Sequence, residues 1–140
     1  MKQSNVQRGR IERLANQDLT GARGLLCKLV NQDGVGEIGL PAAITDFCPY
    51  VVTDEAVEGK NAGAEPLTPE ASFRLGLIGP CVPGDQLTLA DPTVAGQAGK
   101  VTKLPAASGT YRLIALAEEA GVDGQFVLSR PVAQQLVTVQ

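Results

Sequence analysis

Gly34-Val35-Gly36-Glu37-Ile38-Gly39 spells G-x-G-x-x-G, the pattern that in a dinucleotide site turns a strand directly into a helix whose N-terminus holds a pyrophosphate. Here Asn31, Gln32 and Asp33 separate the preceding apolar run from the first glycine, and Pro41 follows too soon for a helix. The segment therefore reads as a hairpin turn, and no cofactor is expected. Asp54, Glu55 and Glu58, or the adjacent Glu118 and Glu119, offer carboxylates for acid–base work or a hard cation. Neither set has the companions of a Ca²⁺ loop, and neighbouring acids in a polar stretch usually face water. Ser108-Gly109-Thr110 lies in another turn with no base to activate it, because the chain has no histidine. That absence removes the common Ser/His and Cys/His nucleophile arrangements. Cys27, Cys48 and Cys81 follow no metal-ligand spacing, and an odd number of thiols cannot pair completely within one chain. Without histidine a zinc site would need all three thiolates plus a carboxylate or water. Buried reduced thiols, no metal, no catalytic residue and no enzyme activity are expected.

The elements around these residues are short apolar runs separated by Gly, Pro, Asp and Ser, the pattern of a compact antiparallel β domain. Residues 25–30 and 35–40 read as two strands of a hairpin joined at Asn31-Gln32-Asp33-Gly34, where glycine supplies a positive φ. Residues 50–53 and 73–78 are strand-like. Four more strands fall between residues 84 and 131: 86–90, 99–104, 110–117 and 125–130, the last stopped by Pro131. Residues 113–120 (LIALAEEA) have helix-favouring composition, but the run is short and lacks an N-cap, so a strand followed by a bend after Glu118 is expected. Thr68-Pro69-Glu70 can start one helical turn, with Thr68 as its cap. Residues 54–69, polar and rich in Gly and Pro, read as an exposed loop carrying four acids. Residues 136–139 read as a last strand or a docking tail, and residues 1–16 as an extended basic arm. No repeat is long enough for a solenoid or propeller. The fold class is all-β, mainly antiparallel: a small barrel or sandwich over residues 17–140, with the arm in front, a tail at 132–140 and at most one or two helical turns.

A chain of 140 residues has one domain as its default and room for a hydrophobic core. With three Phe, two Tyr and no Trp, that core must be built from Leu, Val, Ile and Ala. The net charge of −3 hides an asymmetry. Residues 1–28 hold six basic groups against two acidic ones, a net of +4, and residues 29–140 hold six against thirteen, a net of −7. A basic arm on an acidic body implies attraction between copies or docking to an acidic surface, against the plainer reading of a frayed end. The mild overall charge, and aromatics not interleaved with Lys or Arg, argue against nucleic-acid binding. No secretory h-region is visible, and no apolar run approaches a bilayer span, so no membrane is expected and synthesis in a reducing cytoplasm is. The candidate partner-contacting residues are Lys2, Arg8, Arg10 and Arg13 in the arm and Leu136, Val137 and Val139 at the other end. Deleting residues 1–13 is expected to leave the β domain folded and to weaken its attachment to a partner as salt rises.

The stretch ANQDLTGARGLLCKLVNQDGVGEIGLPAA, from Ala15 onward, resembles the opening hairpin of tailed-phage capsid cement (head decoration) proteins. Gly84-Asp85-Gln86-Leu87 is similar to their Gly-Asp step into a strand. Residues 109–118 followed by Asp123-Gly124-Gln125 resemble their closing hairpin. The likeness spans about residues 15–131 and contains no catalytic signature; three cysteines and a long acidic stretch before Phe73 depart from it. It implies a structural protein that binds the outside of an icosahedral phage head and stabilises contacts between capsomers. Its partners would be the major capsid protein and neighbouring copies of itself, with a trimer favoured, and its place the capsid surface of the virion. The alternatives are another virion component, a head fibre or tail tube, or a small β-barrel sugar-binding or hydrolytic domain.

Overall fold

The computed structural model describes residues 9–140, which form ten strands and no helix. The all-β expectation holds. In chain order the strands are β1 Ile11–Leu14, β2 Leu26–Gln32, β3 Val35–Gly39, β4 Tyr50–Asp54, β5 Asn61–Pro66, β6 Phe73–Ile78, β7 Gln86–Leu89, β8 Val101–Lys103, β9 Gly109–Ala117 and β10 Phe126–Val139. β1 to β5 make a five-stranded sheet in the order β1-β5-β4-β2-β3, and the other five close a barrel in the order β10-β6-β8-β7-β9. The first sheet also curls on itself: Ala15 bridges Ile38, and the Asn16 N–H donates to the Ile38 carbonyl at 2.8 Å. The β2–β3 hairpin turns through Asp33 and Gly34, at φ 52° and 85°, the paired positive values of a type I′ turn.

Two hydrophobic cores follow, and β2 and β4 serve both. Leu26 and Val51 pack with Leu75, Leu77, Leu87, Leu89, Val101, Ile114 and Val127 inside the barrel. Their neighbours Cys27 and Val52 point the other way, among Ala15, Leu19, Ile38, Ala62 and Ala64. A strand with adjacent apolar residues buried on both faces is what a sheet wedged between two cores requires.

Three expected boundaries are corrected. Residues 11–14, assigned to the extended arm of residues 1–16, are β1, paired antiparallel with β5 from Ile11↔Ala64 to Leu14↔Asn61; Ile11 packs on the second core. Deleting residues 1–13 would therefore strip most of an edge strand, not a loose end. Residues 54–69 are irregular only at 55–60 and 67–69, on either side of β5, whose buried residues are Ala62, Gly63 and Ala64, too small to register as an apolar run. Pro131 does not stop β10, and no separate tail follows. It pairs with Ala115, and the register then slips before resuming at Gln135↔Leu113 and running to Val139↔Gly109. An irregularity of this kind is where a strand accepts a residue lacking an N–H.

The barrel has an internal two-fold pattern. Cys81 and Gly121 exchange both backbone hydrogen bonds at 3.1 Å. The Leu77 N–H donates to the Gln125 carbonyl at 2.8 Å, as that of Ala117 does to Asp85 at 2.9 Å. Gly124 donates to Leu77 at 2.9 Å, as Gly84 does to Ala117 at 2.8 Å. The turns match in side chain too: the Val82 N–H donates to an Asp85 carboxylate oxygen at 2.9 Å, and that of Val122 to the Gln125 amide oxygen at 3.1 Å. β6–turn–β7 and β9–turn–β10 are thus two versions of one unit, each pairing with the other.

Candidate functional site

Of the acids that could have worked in pairs, Asp54, Glu55, Glu118 and Glu119 are each tied to a partner of their own, and Glu58 is exposed on the turn before β5. Asp54 forms an ion pair with Arg10, and Glu55 accepts the Gly21 N–H. Glu118 accepts from Ser72 and pairs with Arg130 at 3.3 Å. Glu119 binds Arg74 and the Leu128 N–H, both at 2.9 Å, and the second of these, with Arg74 helping, holds its carboxyl below the usual range. The described residues contain no group of three or more acid or thiol side chains placed to hold a metal. Cys27, Cys48 and Cys81 are free and buried, as expected. Burial pushes the Cys27 and Cys48 thiols up to about 12, so neither is a thiolate nucleophile near neutrality.

The candidate contact residues fall in two separate places. At the N-terminal end, Lys2 and Arg8 lie outside the described residues. Arg10 is held within the chain by Asp54 and by Glu12 at 2.9 Å. Arg13 donates to the carbonyl of Glu12 at 2.7 Å. Both arginines line an open cleft with Ile11, Leu29, Tyr50 and Pro66. Arg10 therefore meets the acidic body of its own chain first, where the arm reading had it reach for a neighbour.

At the other end, Leu136, Val137 and Val139 are on the last part of β10, opposite Arg112, Tyr111 and Gly109 of β9. β6 pairs with β10 only from Phe126 to Ser129, and β7 pairs with β9 only as far as Leu113. Beyond those limits β9 and β10 run on as a two-stranded ribbon. Leu136 is 49% exposed on it, and residues 131–140 (PVAQQLVTVQ) have no charged side chain.

Sequence reading missed the strap that holds this ribbon to the first sheet. The Gln134 side chain accepts the Cys48 N–H at 3.1 Å and donates to its carbonyl at 2.6 Å, as a neighbouring strand would. The Arg112 guanidinium donates twice to the Thr45 carbonyl, at 3.1 and 2.8 Å, and lies 6.0 Å over the Phe47 ring. Asp46 accepts from the Ala42 and Ala43 N–H groups at 2.7 and 3.0 Å and pairs with Lys28 at 2.7 Å, which fixes the turn that presents Phe47. Phe47 stays 56% exposed. With Pro49, Leu67, Pro69, Pro131 and Val132 it lines an open, largely apolar groove of about 270 Å³. A lone exposed Phe in a Pro-flanked turn was the only signal available; Gln134 and Arg112 gave none. The arrangement is an apolar groove beside a strand edge, which suits binding and offers no acid, base or nucleophile.

No protein-family model and no curated protein matches the sequence. Among solved structures, the fold is similar to the N base of the head fibre protein gp8.5 of bacteriophage phi29. The TM-score is 0.66 at 20% identity, over 88% of this chain and 92% of that one.

Proposed function

We propose that this chain is a structural protein of a phage virion that docks on the outer surface of the head, as a capsid cement protein or as the base of a head fibre. The observation that carries the reading is the likeness to the head-fibre base along nearly the full length of both chains. The resemblance of residues 15–131 to head decoration proteins, found from sequence patterns alone, leads to the same place. The site chemistry is consistent with it. Asp54, Glu55, Glu118 and Glu119 each hold a partner within the chain, thiols are protonated, and the exposed features include a strand edge and an apolar groove, the means by which proteins bind extended segments of other proteins. In this reading the major capsid protein is the main partner, further copies of the chain lie beside it, and there is no catalytic role.

Cement and fibre base are separated by what lies outward of the module, since both require the same seat on the head. The test is to mix the purified protein with undecorated heads and image them. Regularly spaced density on the outer face, with co-sedimentation that saturates, is the expected result. Heads that stay bare at every salt concentration and protein excess would sink the proposal.

A further inference from the structure

We infer that the edge formed by residues 135–139 of β10 is a self-association site, where two copies pair antiparallel about Val137 and join their β9–β10 ribbons into one four-stranded sheet. Five successive residues pair with β9 on one side, and among the described residues no strand or other backbone group pairs with them on the other. A ribbon of two strands is marginally stable in water, and an open edge is normally guarded by Lys, Pro or an inward-pointing charge. This edge has none of these from Gln135 to Val139. Pro131 and the register slip lie upstream, next to the Gln134–Cys48 clamp, which anchors the base of the ribbon and leaves its far part free.

A second copy of the same edge is the occupant the chemistry favours. A two-fold interface sets each residue against residues of its own strand, so a charge in place of Val137 would meet its own copy, and like charges at positions 136 and 138, or 135 and 139, would face one another. The side chains from Gln135 to Val139 are all uncharged, which avoids that penalty in a chain where 19% of residues are charged. Pairing about Val137 places Leu136 opposite Thr138 of the second copy and Gln135 opposite Val139, and covers the half-exposed Leu136. A strand from a charged partner would gain nothing from so neutral an edge. The inference concerns the free protein and stands or falls apart from head binding.

The test uses the full chain in solution, without heads. Light scattering coupled to size exclusion, over a concentration series, is expected to show a dimer that dissociates on dilution. Replacing Leu136 and Thr138 together by Glu sets like charges directly opposite one another twice per interface. This should weaken the dimer about tenfold, while the thermal melt of the diluted monomer shows that the variant still folds. In a second variant, Val137→Cys, mild oxidation should yield a disulfide-linked dimer, because the three native thiols are buried; Thr110→Cys, one strand away from the edge, should not. A wild-type monomer or trimer at every concentration overturns the inference. So does a double-Glu variant that dimerises as well as wild type, or equal cross-linking of the two cysteine variants.

Discussion

The two halves of the barrel use one backbone plan to different ends. In the first, β6 and β7 are joined by the turn at Val82–Asp85 but are not neighbours, because β8 lies between them, parallel to β6 and antiparallel to β7. β7 has four residues, and Asp91 closes it by accepting the Thr93 N–H at 2.9 Å. In the second half, β9 and β10 pair directly and nothing is inserted. β10 can therefore continue for fourteen residues, past the barrel wall. The half that recruits an extra strand becomes wall; the half that does not is left with backbone to offer to something else. A length that barrel closure does not need is what gives the second hairpin an edge beyond the barrel wall, the edge on which the proposed self-association rests.

The largest effect expected from disturbing this comparison is in the shared core. Leu77 is fully buried, and a Cβ added at Gly121 would lie 2.9 Å from its Cδ2 atom, so the leucine occupies the space that the glycine leaves. In the other half the sizes are exchanged, with Ala117 standing for Leu77 and Cys81 for Gly121. Leu77→Ala should cost about 2–5 kcal/mol, read by urea denaturation.

The matched turns give a sharper and smaller test. Gly84 and Gly124 have φ of 91° and 87°, with open space where a Cβ would be. Alanine at either is then penalised by backbone conformation alone, about 1–2 kcal/mol. If the two halves are one unit, the two variants should lose the same stability within error. A clear inequality would show that the turns are alike in outline only.

The smallest effect concerns a link found on one side only. Glu119 ties the β9–β10 turn to Leu128 and to Arg74 of β6. Its carboxyl is depressed in the folded state, chiefly by the Leu128 N–H. Its contribution is therefore present above the ordinary carboxylate pKa of the unfolded chain and is lost as pH falls through the lower folded value. Thermal melts of wild type and Glu119→Gln should differ at pH 7 and converge in acid.

Much of this was legible in the residues alone. Asp33-Gly34 specified a hairpin because a type I′ turn needs two positive φ values, and β2 and β3 lie where that turn puts them. Gly and Pro punctuation located β4, β6, β7 and β9, and the thiols that read as buried are buried. What the sequence hid is pairing between distant segments. β5 is written in alanine and glycine, so its burial shows only once β1 and β4 flank it. Pro131 is a stop signal locally and a tolerated irregularity when β9 supplies the partner strand. The two-fold pattern left almost no sequence trace, Val82 with Val122 and Gly84 with Gly124, because close packing constrains the summed volume of facing side chains and not the identity of each. Local turn chemistry is a property of a few neighbouring residues and can be read from them; which edge stays open is decided only when every other strand has found its partner.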